Sequence, residues 1–353
     1  MSNVKKVKAP KAPKVKKPGF FAWLKAAWND NSITDPLVCK RTLQGIIFKV
    51  FGITLILGMC FAILYPILKL FPMVLSDVED LGNPDVVWVP INYSIISFQA
   101  AIRLVFGNFS TMFLSLLYAA VTAFIQVVIC AMAGYTIGRI KIPFKGLIFG
   151  LVVFQFVVPP QSLLISQYLN FKNFDILGIF QLTTGDTIDL INNPVTLYML
   201  SLLGQGLKQS LFIYIFSSFF QGLPKELEEA ALIDGCGFYK TYLKIALPNA
   251  VPSIMVVAVL SFIWNYGDTY YTGYFHPEGP YLAMKLNQQF AATNANTVVD
   301  AVSKWYDKPA ASSFTYDAVK QAAVLIYLIP LLVIYFIVQK KLVENFAASG
   351  IVG

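Results

Sequence analysis

Apolar residues run almost unbroken through six stretches of the chain, at about 46–68, 110–133, 146–169, 195–221, 249–267 and 320–339. Each is close to the roughly 20 residues a helix needs to cross ~30 Å of hydrocarbon. Lys49 lies near enough to the end of the first to snorkel, Pro159-Pro160 predicts a kink in the third, and Gly204, Gly206 and Lys208 interrupt the fourth. The pattern predicts an all-α integral membrane protein with six transmembrane helices. Two connecting loops, 69–109 and 268–319, are long enough for small helices of their own. They hold aromatics such as Trp88, Tyr93, Tyr270, Tyr271, Tyr274, Trp305 and Tyr306, together with Asn92. Such loops either line a vestibule for a polar, ring-shaped solute or pack on a neighbour.

Composition supports the membrane reading and removes others. The 353 residues are 57% hydrophobic and only 13% charged, against about 45–50% and about 25% in soluble domains. The formal charge of +8 sits in one place. Residues 1–41 hold ten of the 27 Lys and Arg but only Asp30 and Asp35, and the remainder carries 17 basic and 17 acidic residues. A basic surface for nucleic acid is therefore not indicated. The stretch VKKVKAPKAPKVKKP reads as a low-complexity tail. Phe20, Phe21, Trp23, Leu24 and Trp28 follow at spacings suited to a short interfacial helix on anionic lipid. With the N-terminus in the cytoplasm, 19 of 27 basic residues share that side and seven take the other, which fixes both termini inside.

Classical catalytic sets find little support. Cys39, Cys60, Cys130 and Cys236 form no CxxC and no even external pairing, so neither a disulfide framework nor a metal site is expected. His276 is the single histidine, which disfavours Ser-His-Asp and Cys-His chemistry. No GxxxxGK[ST] occurs.

The stretch LPKELEEAALIDGCGFYKTYLKIALPNAVPSI, from Leu223 to Ile254, is the most informative. Pro224 suits a helix start. Glu226, Glu228 and Glu229 complement the helix dipole in the first turn. Ala230, Ala231, Leu232 and Ile233 give a compact apolar face, and Gly235 and Gly237 break the helix. A second run from Phe238 to Leu243 precedes Pro248, which would open the next span. The product is a helix–turn–helix with small and apolar knobs, suited to docking in a groove on another protein.

This stretch resembles the signature of permease subunits of binding-protein-dependent ABC importers. The pattern EAA, three residues, G, nine residues, I-x-LP stands as Glu229-Ala230-Ala231, Gly235, Ile245 and Leu247-Pro248. Ile233-Asp234-Gly235, Leu223-Pro224 and Trp264-Asn265 look like the carbohydrate-uptake, maltose-type branch. AGYTIGRI from Ala133 to Ile140 fits as well, and the terminal SGIVG resembles the Gly-rich end of the maltose-G-like subunit. The resemblance covers most of 110–267. It implies a type I ABC importer permease fold with a cytoplasmic EAA coupling helix, and a subunit that does no chemistry itself. Its implied partners are a second permease, giving a heterodimer, two ATP-binding subunits that carry ATP and magnesium, and an extracellular solute-binding lipoprotein. No cofactor is bound directly. The implied setting is the bacterial plasma membrane. Coupling to the ATPase then falls to Glu229, Ala230, Ala231, Asp234, Gly235, Ile245, Leu247 and Pro248.

The expected organisation is a basic tail and interfacial helix over 1–45, the first transmembrane helix with its external loop over 46–109, a transporter core over 110–345 and a cytoplasmic tail over 346–353. The core includes the coupling loop 222–248 and the external loop 268–319. Intramembrane polar groups are costly and stand out as functional candidates. Gln126, Gln155, Gln205, Lys208 and Gln209 are the obvious ones, with Gln205 and Gln209 expected to share a face of the fourth span. Tyr198, Gln205, Gln209, Trp264, Asn265 and Tyr266 form a candidate pathway, because sugars pack ring faces on aromatics and pair hydroxyls with amides. Interhelical hydrogen bonding is the competing role for each amide. The Gly134/Gly138 and Gly146/Gly150 spacings read as turn or packing glycines. Three alternatives stay open: an ABC permease for a non-sugar solute, an ion-coupled secondary transporter, and a membrane-embedded enzyme. The second would show paired intramembrane carboxylates and an inverted repeat, and only Asp268 sits at a span end.

Overall fold

In the computed structural model the described residues are 36–86, 88–107, 109–175, 178–307 and 313–349. The chain divides into two compact units, Met1–Lys69 and Leu70–Gly353. The expected basic tail and interfacial helix at 20–28 lie outside the described residues. Among those described, the protein is all-α, with isolated bridges at Ser76–Tyr93 and Phe174–Ile188 as its extended pairings.

Helix α1 spans Pro36–Leu75 and exposes apolar side chains from Ile47 onward, Phe51, Ile56 and Ile63 among them. Such an all-round apolar surface is compatible with lipid and not with water. In the second unit the chain continues through α2 (Ile96–Val105), α3 (Phe109–Arg139), α4 (Lys145–Val157), α5 (Pro160–Lys172), α6 (Ile179–Thr184), α7 (Pro194–Leu202) and α8 (Gln209–Gly222). It closes with α9 (Glu226–Ile233), α10 (Phe238–Asn249), α11 (Val251–Tyr266), α12 (Tyr270–Phe275), α13 (Leu282–Gln289), α14 (Ala295–Tyr306) and α15 (Ser313–Ser349). The long loops thus carry small helices, as their length predicts.

By length and composition, three helices can cross a membrane: Ile47–Leu75, Ser110–Arg139 and Ser313–Lys340. Two bent pairs raise this to five if each is one span. One is α4 with α5, turned by 101° at Pro159-Pro160. The kink expected there is a full corner, because Pro159 is extended at ψ 133° and Pro160 opens a new helix. The other is α10 with α11, bent by 75°. The predicted fourth span is two helices, α7 and α8, on either side of a break.

Helix α3 is the axle of the second unit, packed along α7, α8 and α11. Its contact with α8 depends on two glycines. A Cβ placed on Gly134 would sit 2.4 Å from Phe216 Cβ and 2.9 Å from the Ser217 backbone nitrogen. One on Gly138 would meet Phe220 Cβ and the Ser217 carbonyl oxygen at 3.1 Å. This pair is a small-xxx-small seam that brings two helix backbones together. Gly146 and Gly150 have nothing within 4 Å and serve no such role. Around the seam lies a core of Cys130, Tyr135, Phe212, Phe216, Phe220, Ala246 and Val257. A second core joins Val105, Ala119, Leu282, Val298 and Ala322. The third sets Tyr118, Phe171, Leu200, Tyr271 and Phe275 together.

Candidate functional site

Two constructions in the second unit carry the residues singled out by the sequence. The first is the loop after α8. Leu223 is extended at ψ 136°, as a residue before proline prefers, and α9 begins at Glu226. The helix therefore starts two residues later than Pro224 suggests, because Arg139 holds that corner open. The Arg139 guanidinium donates from Nη2 to the carbonyls of Leu223 at 2.6 Å and Pro224 at 3.1 Å. Its Nε donates to Glu228 Oε1 at 3.0 Å, with Arg139 almost buried. The end of α3 is thus clamped to the start of α9 by charge-assisted bonds.

Helix α9 ends in a Schellman motif. The Gly235 N–H reaches the Leu232 carbonyl at 3.1 Å and the Cys236 N–H reaches Ala231 at 2.9 Å. Gly235 adopts φ +75° with open space around it, so glycine is required there for conformation and not for room. The carboxylates Glu226, Glu228 and Glu229 lie in the first turn. Ala231 is buried, whereas Glu229, Ala230, Asp234 and Gly235 are exposed. Ile233 is 86% exposed, and across the turn Tyr239 is 75% exposed, with Leu232 and Leu243 also bare. The expected knob is present, and its apex is Ile233. Ile245 and Leu247 are half-buried beneath it.

Pro248 does not open the next span. It lies within α10, just after a π turn at Tyr242–Ala246, where the missing proline N–H leaves a carbonyl unbonded and the helix widens. The span itself begins at Val251, with Pro252 in its first turn.

The second construction is the break between α7 and α8. Gly204 at φ +76° ends α7 in another Schellman motif, with Gln205 N–H bonded to Leu200 O at 2.8 Å and Gly204 N–H to Ser201 O at 3.4 Å. Gln205 therefore lies in the break, exposed, and shares no helical face with Gln209, contrary to the periodicity argument. Left-handed Lys208 starts α8, and the buried Gln209 side chain closes the turn. Its Oε1 accepts the Gly206 N–H at 2.9 Å and its Nε2 donates to Ser201 O at 2.7 Å.

Gln126 of α3 extends the network. Its Nε2 donates to Ser201 Oγ at 3.4 Å, and its Oε1 accepts from Ser261 Oγ and from Asn265 Nδ2 at 3.2 Å. Gln167 Nε2 donates to Gln205 Oε1 at 3.0 Å, and Gln155 Nε2 to Gly204 O at 3.3 Å. Gln126, Gln155, Gln167 and Gln209 thus converge on the break and the last turn of α7. Periodicity missed Ser201, Ser261 and Gln167. The i, i+4 pairing of Ser261 with Asn265 in an apolar helix is the signal that could have flagged one of them.

Among the proposed pathway residues, Asn265 and Tyr266 are buried, Tyr266 being stacked on Tyr327 at 4.7 Å. Half-buried Trp264 stacks on Phe212 at 5.5 Å, and Tyr198 lies beside Tyr118 at 6.0 Å. The structure brings Gln209 and Asn265 together through Gln126 and Ser201, and leaves Gln205 and Tyr198 accessible to different degrees. Just past α11, Asp268 caps α12 by accepting three backbone N–H bonds, from Tyr270, Tyr271 and Thr272 at 3.0–3.1 Å. Burial pushes its carboxyl above the usual range, and those bonds oppose the shift.

A Cβ on Gly206 would lie 2.5 Å from Gln126 Nε2, 2.6 Å from Gln209 Oε1 and 2.8 Å from Ser201 Oγ. Gly206→Ala is therefore expected to cost ~2 kcal/mol by prising this network apart. That corresponds to a fall of roughly 5 °C in the melting midpoint of the detergent-solubilised protein. Gly222→Ala, with open space around it, is the matched control. Equal midpoints for the two variants would refute the cradle.

The chain belongs to the binding-protein-dependent transport system inner membrane component family, whose profile matches residues 131–346. It is thus a multi-pass permease component of an inner membrane. It is 26% identical over 235 residues to the trehalose transport system permease protein SugB of Mycobacterium tuberculosis, covering 66% of this chain and 73% of that one. It is 25% identical over 320 residues to the diacetylchitobiose uptake system permease protein DasC of Streptomyces coelicolor, covering 89% of this chain and all of the other. Its fold matches a chain of a bacterial ABC transporter involved in the import of the acidic polysaccharide alginate. There the TM-score is 0.61 and the identity 18%, over 84% of this chain and 97% of that one. The type I permease architecture is therefore shared.

Proposed function

We propose that this subunit forms half of a translocation pathway for a sugar or oligosaccharide and takes its power from a separate ATPase docked on α9. The observation that carries this reading is the exposed knob, Ile233 and Leu232 on a short helix clamped to the axle helix α3, with Tyr239 across the turn in α10. A large apolar side chain held 86% exposed on a rigid turn is costly in water and suits a groove on a partner. Family membership and relatives that serve trehalose and diacetylchitobiose support the sugar assignment.

In this reading the chain is not an enzyme, and ATP with magnesium belongs to two partner ATP-binding subunits. A second permease completes the pathway as a heterodimer, and an extracellular solute-binding lipoprotein delivers the solute. Both termini and the α9 knob face the cytoplasm, consistent with the basic side of the chain. Closure of the ATPases draws α9 inward, and the Arg139 clamp passes the movement to α3, a two-state gate biased by differential contacts. Glu229, Ala230 and Asp234 line the exposed rim of the docking element, Ala231 and Gly235 set its shape, and Ile245, Leu247 and Pro248 support it from below.

Ile233→Asp and Tyr239→Asp change exposed positions only, so membrane insertion is expected to stay normal. ATPase co-purification is expected to be lost and solute uptake to fall by about a hundredfold, as at interface hot spots worth ~2–3 kcal/mol. Full assembly and uptake with both variants would exclude α9 as the docking element.

A further inference from the structure

At the end of α3 remote from the knob lies an open cleft of about 550 Å³. With Thr111 lining it and Arg139 in the last turn of the same helix, the two constructions stand ~40 Å apart, at ~1.5 Å per residue. The volume falls in the range of small-molecule sites, roughly 300–1,000 Å³. The polar lining consists of Arg103, Lys285, Thr111, Gln288, Gln289 and Asn294. Among the described residues no carboxylate lines it, and neither Arg103 nor Lys285 has an acidic partner at ion-pair distance.

Both cations are held in place. The Arg103 guanidinium lies 5.6 Å from the Trp305 ring centre and 5.4 Å from that of Tyr306. Two cation–π contacts orient the planar fork without using its hydrogen-bond donors. The Lys285 ammonium donates to the buried Thr111 hydroxyl at 3.0 Å, and two of its three protons stay available. With two positive charges and, among the described residues, no negative one, the cleft focuses its potential on an anion. The adjoining amides can donate to and accept from hydroxyls.

We propose that this cleft binds an anionic group that carries neighbouring hydroxyls, with Arg103 taking the anion by its fork and Lys285 adding a point charge. Gln288, Gln289 and Asn294 hold the hydroxyls. Two sources present this chemistry, a uronic-acid sugar and a phosphatidylglycerol headgroup. The site is independent of the transport reading, since binding here needs neither ATP nor the knob.

The test uses the full chain in nanodiscs of zwitterionic lipid, with D-galacturonate and its neutral counterpart D-galactose as probes in saturation-transfer NMR. Galacturonate is expected to give a signal at least about fivefold stronger than galactose. Raising the salt from 50 to 500 mM is expected to weaken it. Arg103→Gln with Lys285→Gln is expected to abolish the difference, whereas Arg103→Lys retains part of it. Ile233→Asp, remote from the cleft, is expected to leave it intact. If the sugar shows no preference, nanodiscs doped with phosphatidylglycerol supply the second arm. Lipid retained through delipidation by the wild type, and lost from the double variant, assigns the headgroup. Equal signals for both sugars together with equal lipid retention by both proteins overturn the proposal. So does a galacturonate preference that survives in a double variant eluting as a monodisperse peak. Arg103→Lys covers the case in which the double variant aggregates, and galacturonate binding or lipid retention unchanged by it at any salt concentration would also count against the site.

Discussion

Gly134→Val is expected to leave almost no monodisperse protein after extraction, while Gly150→Ala is neutral or slightly stabilising. Both glycines belong to GxxxG spacings in apolar helices, and the sequence offers no ground for ranking them. Packing does. At Gly134 the obstacles within 3.0 Å of a new Cβ include the backbone of Phe216 and Ser217, which cannot swing aside as a side chain can. Any larger residue must push α3 and α8 apart, and with them Phe212, Phe216 and Phe220, all 0% exposed. Overpacking of this kind costs ~1–3 kcal/mol for the first methyl groups, of which better helix propensity returns ~1 kcal/mol. Gly134→Ala therefore nets a loss of ~0–2 kcal/mol. Valine adds two more methyls against the same backbone and is expected to exceed ~4 kcal/mol, most of the ~5 kcal/mol that holds a marginally stable protein folded. At Gly150 nothing lies within 4 Å, so only the propensity gain remains. Size-exclusion profiles and melting midpoints of the three variants check the order. A monodisperse Gly134→Val that melts with the wild type would show that the α3–α8 seam is not a close contact.

The contrast shows what the sequence makes legible. Local rules place the elements well. Apolar runs find the three long helices and the two bent pairs but not the break that splits the fourth run, Gly235 and the acid-rich first turn find α9, and Pro159-Pro160 finds the corner between α4 and α5. The exposed apolar knob was also visible, because its apolar residues follow directly on its carboxylates. What escaped were relations between distant segments. Gln205 and Gln209 look like neighbours on a helix until Gly204 takes a left-handed conformation and removes Gln205 from it. The glutamine network spans α3, α4, α5, α7, α8 and α11, separations that no periodicity encodes. Arg139 reads as one more basic residue of a cytoplasmic loop. Its carboxylate partner lies 89 positions later, and only packing makes Glu228, rather than Glu229, the half-buried member of the acidic run.

That assignment leads to the second large effect. Arg139→Ala is expected to reduce solute uptake by more than tenfold while the chain still inserts and still co-purifies with its ATPase. The substitution removes the ion pair to Glu228 and both bonds to the Leu223 and Pro224 carbonyls, all in a nearly buried setting. Breaking one partner of such a pair costs ~2–3 kcal/mol, discounted from the fully buried case because Glu228 is 19% exposed. The helix α9 itself persists, since Gly235 and its Schellman bonds close it from the other end. What is lost is the rigid link from α9 to α3, so the proposed docking is expected to continue without transmission. Lysine at 139 keeps the charge but lacks the fork that reaches Glu228 and two carbonyls together, and is expected to recover little. Glu228→Gln keeps an acceptor for Arg139 Nε and is expected to lose less than threefold. Measuring uptake and solute-stimulated ATP hydrolysis in proteoliposomes separates the outcomes. Arg139→Ala should hydrolyse ATP with weakened dependence on solute. If uptake and stimulation both stay at wild-type levels, α9 reaches the pathway through α10 and α11 instead, and the clamp at Arg139 only fastens the fold.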